Sequence, residues 1–534
     1  MIEDLLLYEN GVKKTPLEYS NKKNQIDLIN EILKKFENNR IVALKGQVGS
    51  GKSVVGIRTA LEMGGGIIAT PTKVLGRNYK EDYSNKMYFK HPIEDRKAKI
   101  SIIEGRGNFK CPEYNTASKY VSATYPDLPC LRPLEDNEKR INLLKRNCSR
   151  WSFLFSEKPN GVRGKEYNGL DEKWYWCYNS KQCPYFSQYE NYVDSDVLVM
   201  NSSKFNVEMD IGRLPDKPLY VIDEADLYLD RLAIKVNITD NLIEKLLDDL
   251  EENIHYKKAL KRKWESKEDN PKKIPTIIYN IMEDTDIKDK WNKLYWKLKE
   301  LVDFKTIMNY DINKEKISYI IPTPKTVLKS KLEKSNAKFL LMSATLHDRN
   351  VLKNIFGINP PVVKGETKMK GKLRIQSSGI GKINYDKWKK KQFREKYYDN
   401  IKRIIDECPK PALVLVHAFK YLPKYEKQKL KKSKDGVYED GDIIYSTTLK
   451  RGANMEGMNS LILLKKPFPS LGNPLYKSMK DKLGNNFWNF YRDKARRELK
   501  QQIGRVRRLE EDDVKLYSPD TKLLETVERI DRKN

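Results

Sequence analysis

Leu44-Lys45-Gly46-Gln47-Val48-Gly49-Ser50-Gly51-Lys52-Ser53-Val54-Val55 follows the pattern G-x-x-x-x-G-K-S. The apolar run Ile41 to Leu44 leads into it as a strand, and Val54-Val55-Gly56-Ile57 continues it as the start of an amphipathic helix. Strand, glycine-rich loop and helix start are the setting in which such a loop grips phosphate. Gly46, Gly49 and Gly51 let backbone N–H groups close round a polyphosphate, and the helix N-terminus adds positive potential. In that geometry Lys52 reaches the β- and γ-phosphates and Ser53 holds Mg²⁺.

Upstream, Ile26, Ile29, Leu33 and Phe36 recur at helical spacing between Lys22 and Asn38, with Gln25 at the start. A glutamine amide there can read the edge of adenine. Downstream, Gly64-Gly65-Gly66 precedes Ile67-Ile68-Ala69, a buried-strand pattern that ends in Thr70-Pro71-Thr72-Lys73. Strand, helix and strand in so short a span predict a parallel α/β sheet. Hydroxyls with a lysine at a strand end suit contacts to a phosphate backbone, and equally a helix cap. Further on, Leu219-Tyr220-Val221-Ile222 delivers Asp223-Glu224-Ala225-Asp226, a D-E-A-D box. There Asp223 positions Mg²⁺ together with Ser53, and Glu224 orients or deprotonates the attacking water.

At 534 residues the chain exceeds one ordinary core. Lys+Arg number 103 against 74 Asp+Glu, a formal charge of +29, which points to a polyanionic partner. No apolar run is long enough to span a bilayer and the first residues are acidic, so the reading is a soluble, cytoplasmic protein. Five of the six cysteines, Cys111, Cys130, Cys148, Cys177 and Cys183, fall in one segment that contains no histidine. In a reduced compartment such a cluster reads as an all-thiolate metal site. The spacing is irregular for paired zinc knuckles and suits an iron–sulfur cluster at least as well. The aromatic residues around Cys177 and Cys183 read either as packing around the cysteines or as a wedge at a strand fork.

Residues 227–335 carry helical patterning, with 257–273 expected as an exposed face or loop. Phe339-Leu340-Leu341-Met342-Ser343-Ala344-Thr345 returns to the parallel-sheet pattern. The last third has three buried-strand runs, beginning at Ala412, Asp442 and Leu461. The sequence Arg451-Gly452-Ala453-Asn454 follows the second run, and Pro467-Phe468-Pro469 follows the third. A basic helix from Tyr491 then leads to Gln501-Gln502-Ile503-Gly504-Arg505-Val506-Arg507-Arg508. Arg505 and Arg508 can point together at a γ-phosphate across a cleft.

The series Q, G-x-x-x-x-G-K-S, T-P-T, D-E-A-D, S-A-T, R-G-x-N and Q-x-x-G-R-x-x-R resembles the superfamily 2 helicases. The cysteine segment, the helical insert and Pro467-Phe468-Pro469 make it similar to the XPD/DinG iron–sulfur helicases in particular, across nearly the whole chain. The resemblance implies an α/β fold of two RecA-like motor domains with an inserted Fe–S cluster domain and an inserted helical arch. The boundaries are motor domain 1 at 1–98, 193–230 and 335–364, cluster domain at 99–192, arch at 231–334 and motor domain 2 at 365–534. It implies ATP, Mg²⁺ and a 4Fe–4S cluster as cofactors, with single-stranded or forked DNA as partner and 5′ to 3′ movement as a monomeric motor. An RNA–DNA hybrid and a larger nucleoprotein complex stay open as partners. By position, Gln25 contacts adenine, and Gln501, Arg505 and Arg508 complete the ATP site. Cys111, Cys130, Cys177 and Cys183 stand at the cluster-ligand positions, with Cys148 as rival. Three departures stand out: D-E-A-D in place of the family's D-E-A-H, Asn454 where related motors have aspartate, and a long 131–176 segment. An ATP-driven remodeller without processive unwinding, and a nucleic-acid-binding module with structural zinc, are the competing readings.

Overall fold

The computed structural model describes residues 2–105, 108–109, 111, 146, 148, 152–155, 164–179, 183–250, 252–285, 287, 290–313, 315–366, 368–433, 436–447, 457–507 and 509–532. Two parallel sheets dominate. The first has seven strands in the order Val362–Lys364, Ile41–Lys45, Lys338–Ser343, Leu219–Asp223, Gly66–Thr70, Val197–Asn201 and Ile100–Ile103, every pairing parallel. Helices cover both faces, so its central strands are apolar along their whole length rather than alternating. The P-loop helix Lys52–Glu62 buries Val55, Ile57, Ala60 and Leu61 against it. Each fully buried branched side chain there contributes about 1.5–3 kcal/mol.

The helix Gln25–Asn38 starts on Asn24, which forms a capping box with Asp27. Its buried residues are Gln25, Leu28, Ile29, Ile32 and Phe36, so the inward face is turned slightly from the one expected through Ile26 and Leu33. Leu28 and Ile32 face the sheet, leaving Ile26 and Leu33 at its margin.

The second sheet orders Lys372–Ile375, Asp513–Tyr517, Ser460–Leu463, Ala412–Leu415, Ile443–Ser446 and Val437–Asp440. It is parallel except for its edge strand Val437–Asp440, which pairs antiparallel with Ile443–Ser446. Its core is separate from that of the first sheet. The helix Asn485–Ile503 joins the two. Its first half puts Phe487, Phe490 and Tyr491 into the large core shared by the first sheet and both insertions, while Leu499 and Ile503 sit in the core of the second.

Both insertions depart from the sequence reading. The segment after Asp230 builds helices on a three-stranded antiparallel sheet, Ile234–Thr239, Lys316–Ile321 and Asn309–Asn313, with Lys316–Ile321 in the middle. Within the stretch expected as a face or loop, Ile254–Glu265 is a helix that buries Leu260 and Trp264. The indole N–H of Trp264 donates to Asp240 Oδ1 at 2.9 Å, which the heavy charge around it concealed. In the cysteine segment, Trp174–Asn179 is the central strand between Ser152–Phe155 and Lys165–Asn168. Among the described residues, two whole strands and the start of a third therefore lie in the long 131–176 segment.

Candidate nucleotide site and interdomain seam

The strands Ile41–Lys45 and Leu219–Asp223 flank Lys338–Ser343, and all three point their carboxyl ends to one edge. Three motifs distant in sequence thus emerge side by side. Gly49 and Gly51 hold positive φ, 78° and 71°, and Gly51 caps the P-loop helix in the left-handed region. A Cβ on Gly51 would collide with the amide of Gln25.

Gln25 is 2% exposed and both ends of its amide are engaged. Nε2 donates to the Gly51 carbonyl at 3.2 Å, and Oε1 accepts from Leu17 N at 3.0 Å. In this state the glutamine braces the loop rather than facing a base. Tyr19 adds a second brace, its hydroxyl donating to Ser50 O at 2.9 Å. Lys52 Nζ donates to Gly46 O at 2.9 Å and Gln47 O at 2.8 Å, so the ammonium folds back on its own loop. The Gln47 N–H donates at 2.7 Å to Glu366 O, in the segment that joins the two sheets.

Asp223 is buried. Its Oδ1 accepts from Glu224 N at 3.0 Å and its Oδ2 from the Tyr79 hydroxyl at 3.3 Å. Burial pushes its pKa above the ordinary carboxylate value, against the pull of Lys52 and these two hydrogen bonds. A cation would restore the charged form. Ser53 Oγ accepts from the Tyr83 hydroxyl at 3.1 Å. Glu224 holds φ 49° and ψ 50°, a left-handed backbone that a non-glycine residue adopts at a cost and that clusters at functional sites. No local sequence signal marks it.

Asp226 is fully buried and is the point where the motifs meet. It accepts from Ser343 Oγ at 2.8 Å, Thr345 Oγ1 at 3.0 Å, Arg497 Nη1 at 3.0 Å and Gln501 Nε2 at 3.3 Å. Gln501 Nε2 also donates to Thr345 Oγ1 at 2.7 Å. Asp226 thus links these motifs through polar contacts, and Gln501 spends its amide on it. Around it lies a buried ionic seam between the first sheet and the helix Asn485–Ile503. Arg497 forks onto Asp230 at 2.9 and 3.1 Å and reaches Asp493 at 2.9 Å. Lys494 Nζ donates to Asp230 at 2.7 Å, and His347 Nδ1 meets Asp493 at 2.9 Å. Burial opposes ionisation of Asp230 and Asp493, yet Arg497, Lys494 and His347 outweigh it and hold both carboxyls well below their usual range. Sequence reading missed Asp230, His347, Asp493 and Arg497. The available signal was the i, i+4 series Asp493, Arg497 and Gln501 on one helix face.

Residues 439–532 match the helicase C-terminal domain family. Over 95% of its length the chain is similar to a solved structure described as an XPD helicase, at a TM-score of 0.63 and 15% identity, covering 97% of that chain. It is similar to an apo XPD at 0.57 and 14%, over 95% of this chain and 98% of that one. S. tokodaii Xpd4 follows at 0.50 and 14%, over 95% and 97%. The fold is that of these XPD structures. No curated protein matches the chain by sequence.

In this helicase fold, two cavities border the nucleotide edge. One of about 620 Å³ lies between Thr70, Thr72, Lys73, Arg77, Lys80, Asn108 and Asn201, at the carboxyl ends of first-sheet strands. Lys73 Nζ donates to Asn108 Oδ1 at 2.9 Å, which ties the T-P-T-K turn to the start of the cysteine segment. The other, about 430 Å³, brings Arg505 beside Gln501, His417, Ser446 and Thr447, with Leu227 from the short helix Ala225–Asp230. Burial, assisted by Lys465 and Lys420, pushes His417 down to about 4. Among the described residues, this second cavity's lining includes Arg505 and no P-loop residue. Arg508, Arg451 and Asn454 lie outside the described residues, as does Cys130.

Cys177 is buried in its strand, its thiol donating to Tyr189 O at 3.3 Å, and burial pushes it up to about 12. Cys183 packs on the same apolar cluster. Tyr175, Tyr185 and Tyr189 are buried in that cluster, Trp176 is buried outside it, and Trp174 is 59% exposed. Among the described residues no group of three or more cysteine, histidine or acidic side chains is arranged to hold a metal ion. The thiol-rich, histidine-free donor set suits an iron–sulfur cluster, but the described residues do not assemble its ligand shell. None of the described helices is long and apolar enough to cross a membrane.

Proposed function

We propose that the chain is an ATP-driven DNA helicase that moves on single-stranded DNA. The observation that carries this reading is Asp226: the D-E-A-D box, the S-A-T turn and the helix of the helicase C-terminal domain share one buried carboxylate. Any shift at the nucleotide carboxylates is thereby felt by the second domain. In this reading Gly46, Gly49, Gly51 and Lys52 grip the polyphosphate, with Gln25 at the base. Ser53 and Asp223 hold Mg²⁺, which supplies charge neutralisation at the phosphates. Glu224 positions the attacking water. Arg505 and Arg508 act from the second domain when the cleft closes. The cavity lined by Thr70, Thr72, Lys73, Arg77 and Lys80 supports backbone-charge contact with the strand. Direction, 5′ to 3′, follows from the family resemblance.

The same reading assigns Cys111, Cys130, Cys177 and Cys183 to a 4Fe–4S cluster, which would cross-link the segment. Anaerobically purified protein is expected to carry about four irons and four sulfides per chain. Stoichiometric zinc without sulfide would overturn that assignment and leave the motor untouched. The motor itself is tested by ATP hydrolysis with and without single-stranded DNA, and by displacement of duplexes with 5′ or 3′ overhangs. Stimulated hydrolysis without displacement on either substrate would turn the reading to a remodeller.

A further inference from the structure

Tyr79 and Tyr83 are not explained by any motif. They lie four residues apart on the segment that leaves the T-P-T turn, in the helix Lys73–Glu81 and the wider π-type turn Asp82–Lys86. Such turns recur at functional sites. Four-residue spacing sets both rings on one side, tilted against each other with centroids 5.9 Å apart. Tyr83 also packs on the fully buried Phe89 at 5.8 Å. Both side chains are buried, at 4% and 7% exposure. Their hydroxyls part company: Tyr79 donates to Asp223 Oδ2 and Tyr83 to Ser53 Oγ.

We propose that Tyr79 and Tyr83 are positioning residues for Mg²⁺, each orienting one of the two side chains that hold the ion. The inference rests on the assignment of Ser53 and Asp223 under Proposed function. The chemistry favours it. A serine hydroxyl has one proton and two lone pairs. With Tyr83 filling one lone pair, the hydroxyl rotor is fixed and the other lone pair has a set direction. Asp223 has Glu224 N–H on one oxygen and Tyr79 on the other, so neither oxygen can swing away. Each still keeps a lone pair for a cation. Partners that orient metal ligands in this way are worth about 10- to 100-fold in metal affinity. Because the same helix begins at Thr72 and Lys73, the two tyrosines also connect the T-P-T-K surface to the metal ligands.

The experiment uses the full chain with Tyr79→Phe, Tyr83→Phe and the double variant, which keep the rings and remove only the hydroxyls. ADP binding is measured calorimetrically in EDTA and then across a Mg²⁺ titration, with thermal unfolding in parallel. ADP affinity without metal and the unfolding midpoint are expected to stay at wild-type values. The Mg²⁺ concentration for half-maximal tightening is expected to rise about 10-fold in the double variant. A midpoint within twofold of wild type overturns the proposal. So does a joint fall of metal-free binding and thermal stability, which marks the tyrosines as structural. Wild-type protein whose ADP binding ignores Mg²⁺ overturns the assignment of Ser53 and Asp223 itself, an outcome distinct from either.

Discussion

The P-loop and the seam at Asp226 lie at the same edge of the same sheet, and they are tied in opposite ways. At the P-loop the one ammonium, Lys52, rests on two main-chain carbonyls of its own loop. These are neutral acceptors, and a polyphosphate offers the lysine a stronger partner. At the seam, Arg497 is spread over Asp226, Asp230 and Asp493, with almost no exposure on any of the four. Desolvating such charges is costly to begin with, and removing one of them leaves the others uncompensated. The comparison teaches a division of labour. The P-loop is held by contacts that a ligand can replace. The seam is held by contacts that nothing from solution replaces.

Three perturbations would break or sharpen that contrast. Lys52→Ala is expected to lower DNA-stimulated ATP hydrolysis by at least about 100-fold while leaving the thermal midpoint within a few degrees of wild type. Retained hydrolysis would remove the P-loop from the chemistry. Arg497→Ala is expected to do the reverse. It takes the shared guanidinium from three buried carboxylates and should destabilise the first unfolding transition by about 3–5 kcal/mol, read by urea titration, with ADP affinity nearly intact. Lys at 497 is expected to recover only part of this, because an ammonium cannot fork onto several carboxylates. Equal loss of ADP binding in Arg497→Ala would mean that pocket and seam are one site.

The third perturbation is acid. Glu208, buried between Lys204 and Arg213, is held at about 2 because those two cations outweigh the opposing effect of burial. Asp230 and Asp493 are depressed likewise. A carboxyl held below its unfolded value gives stability that is full above about pH 5 and is lost as pH falls through the native value. Thermal midpoints are therefore expected to fall steadily from pH 5 toward pH 2. In Glu208→Gln that slope should be shallower, since one contributor is gone. An unchanged slope would assign the acid loss to other carboxylates.

Much of the fold could be read from short stretches because their chemistry is local. Leu219 to Asp223 and Lys338 to Ser343 announce buried parallel strands by unbroken apolar composition, and the polar turns after them fall at one edge of the sheet. The seam could not be read that way. Asp226 and Arg497 are 271 residues apart, and nothing near either one says that they meet. Tyr79 and Tyr83 escaped for a related reason: nothing in the sequence around them says that their hydroxyls meet Asp223 and Ser53. The antiparallel sheet under the helical insert was hidden because Asn309–Asn313 is polar and largely at the surface. Gln25 was found for its position, but its partner in this state is Gly51 rather than a base.

The hydrogen bond from Gln47 N to Glu366 O places the stretch of chain between the two parallel sheets directly on the P-loop. Ser20 grips the same glutamate through its side chain, with N and Oγ at 2.8 and 2.7 Å. An amide that turns inward to meet phosphate has to let go of that carbonyl. Under the proposed function, filling the loop therefore frees the connection between the two sheets at Glu366.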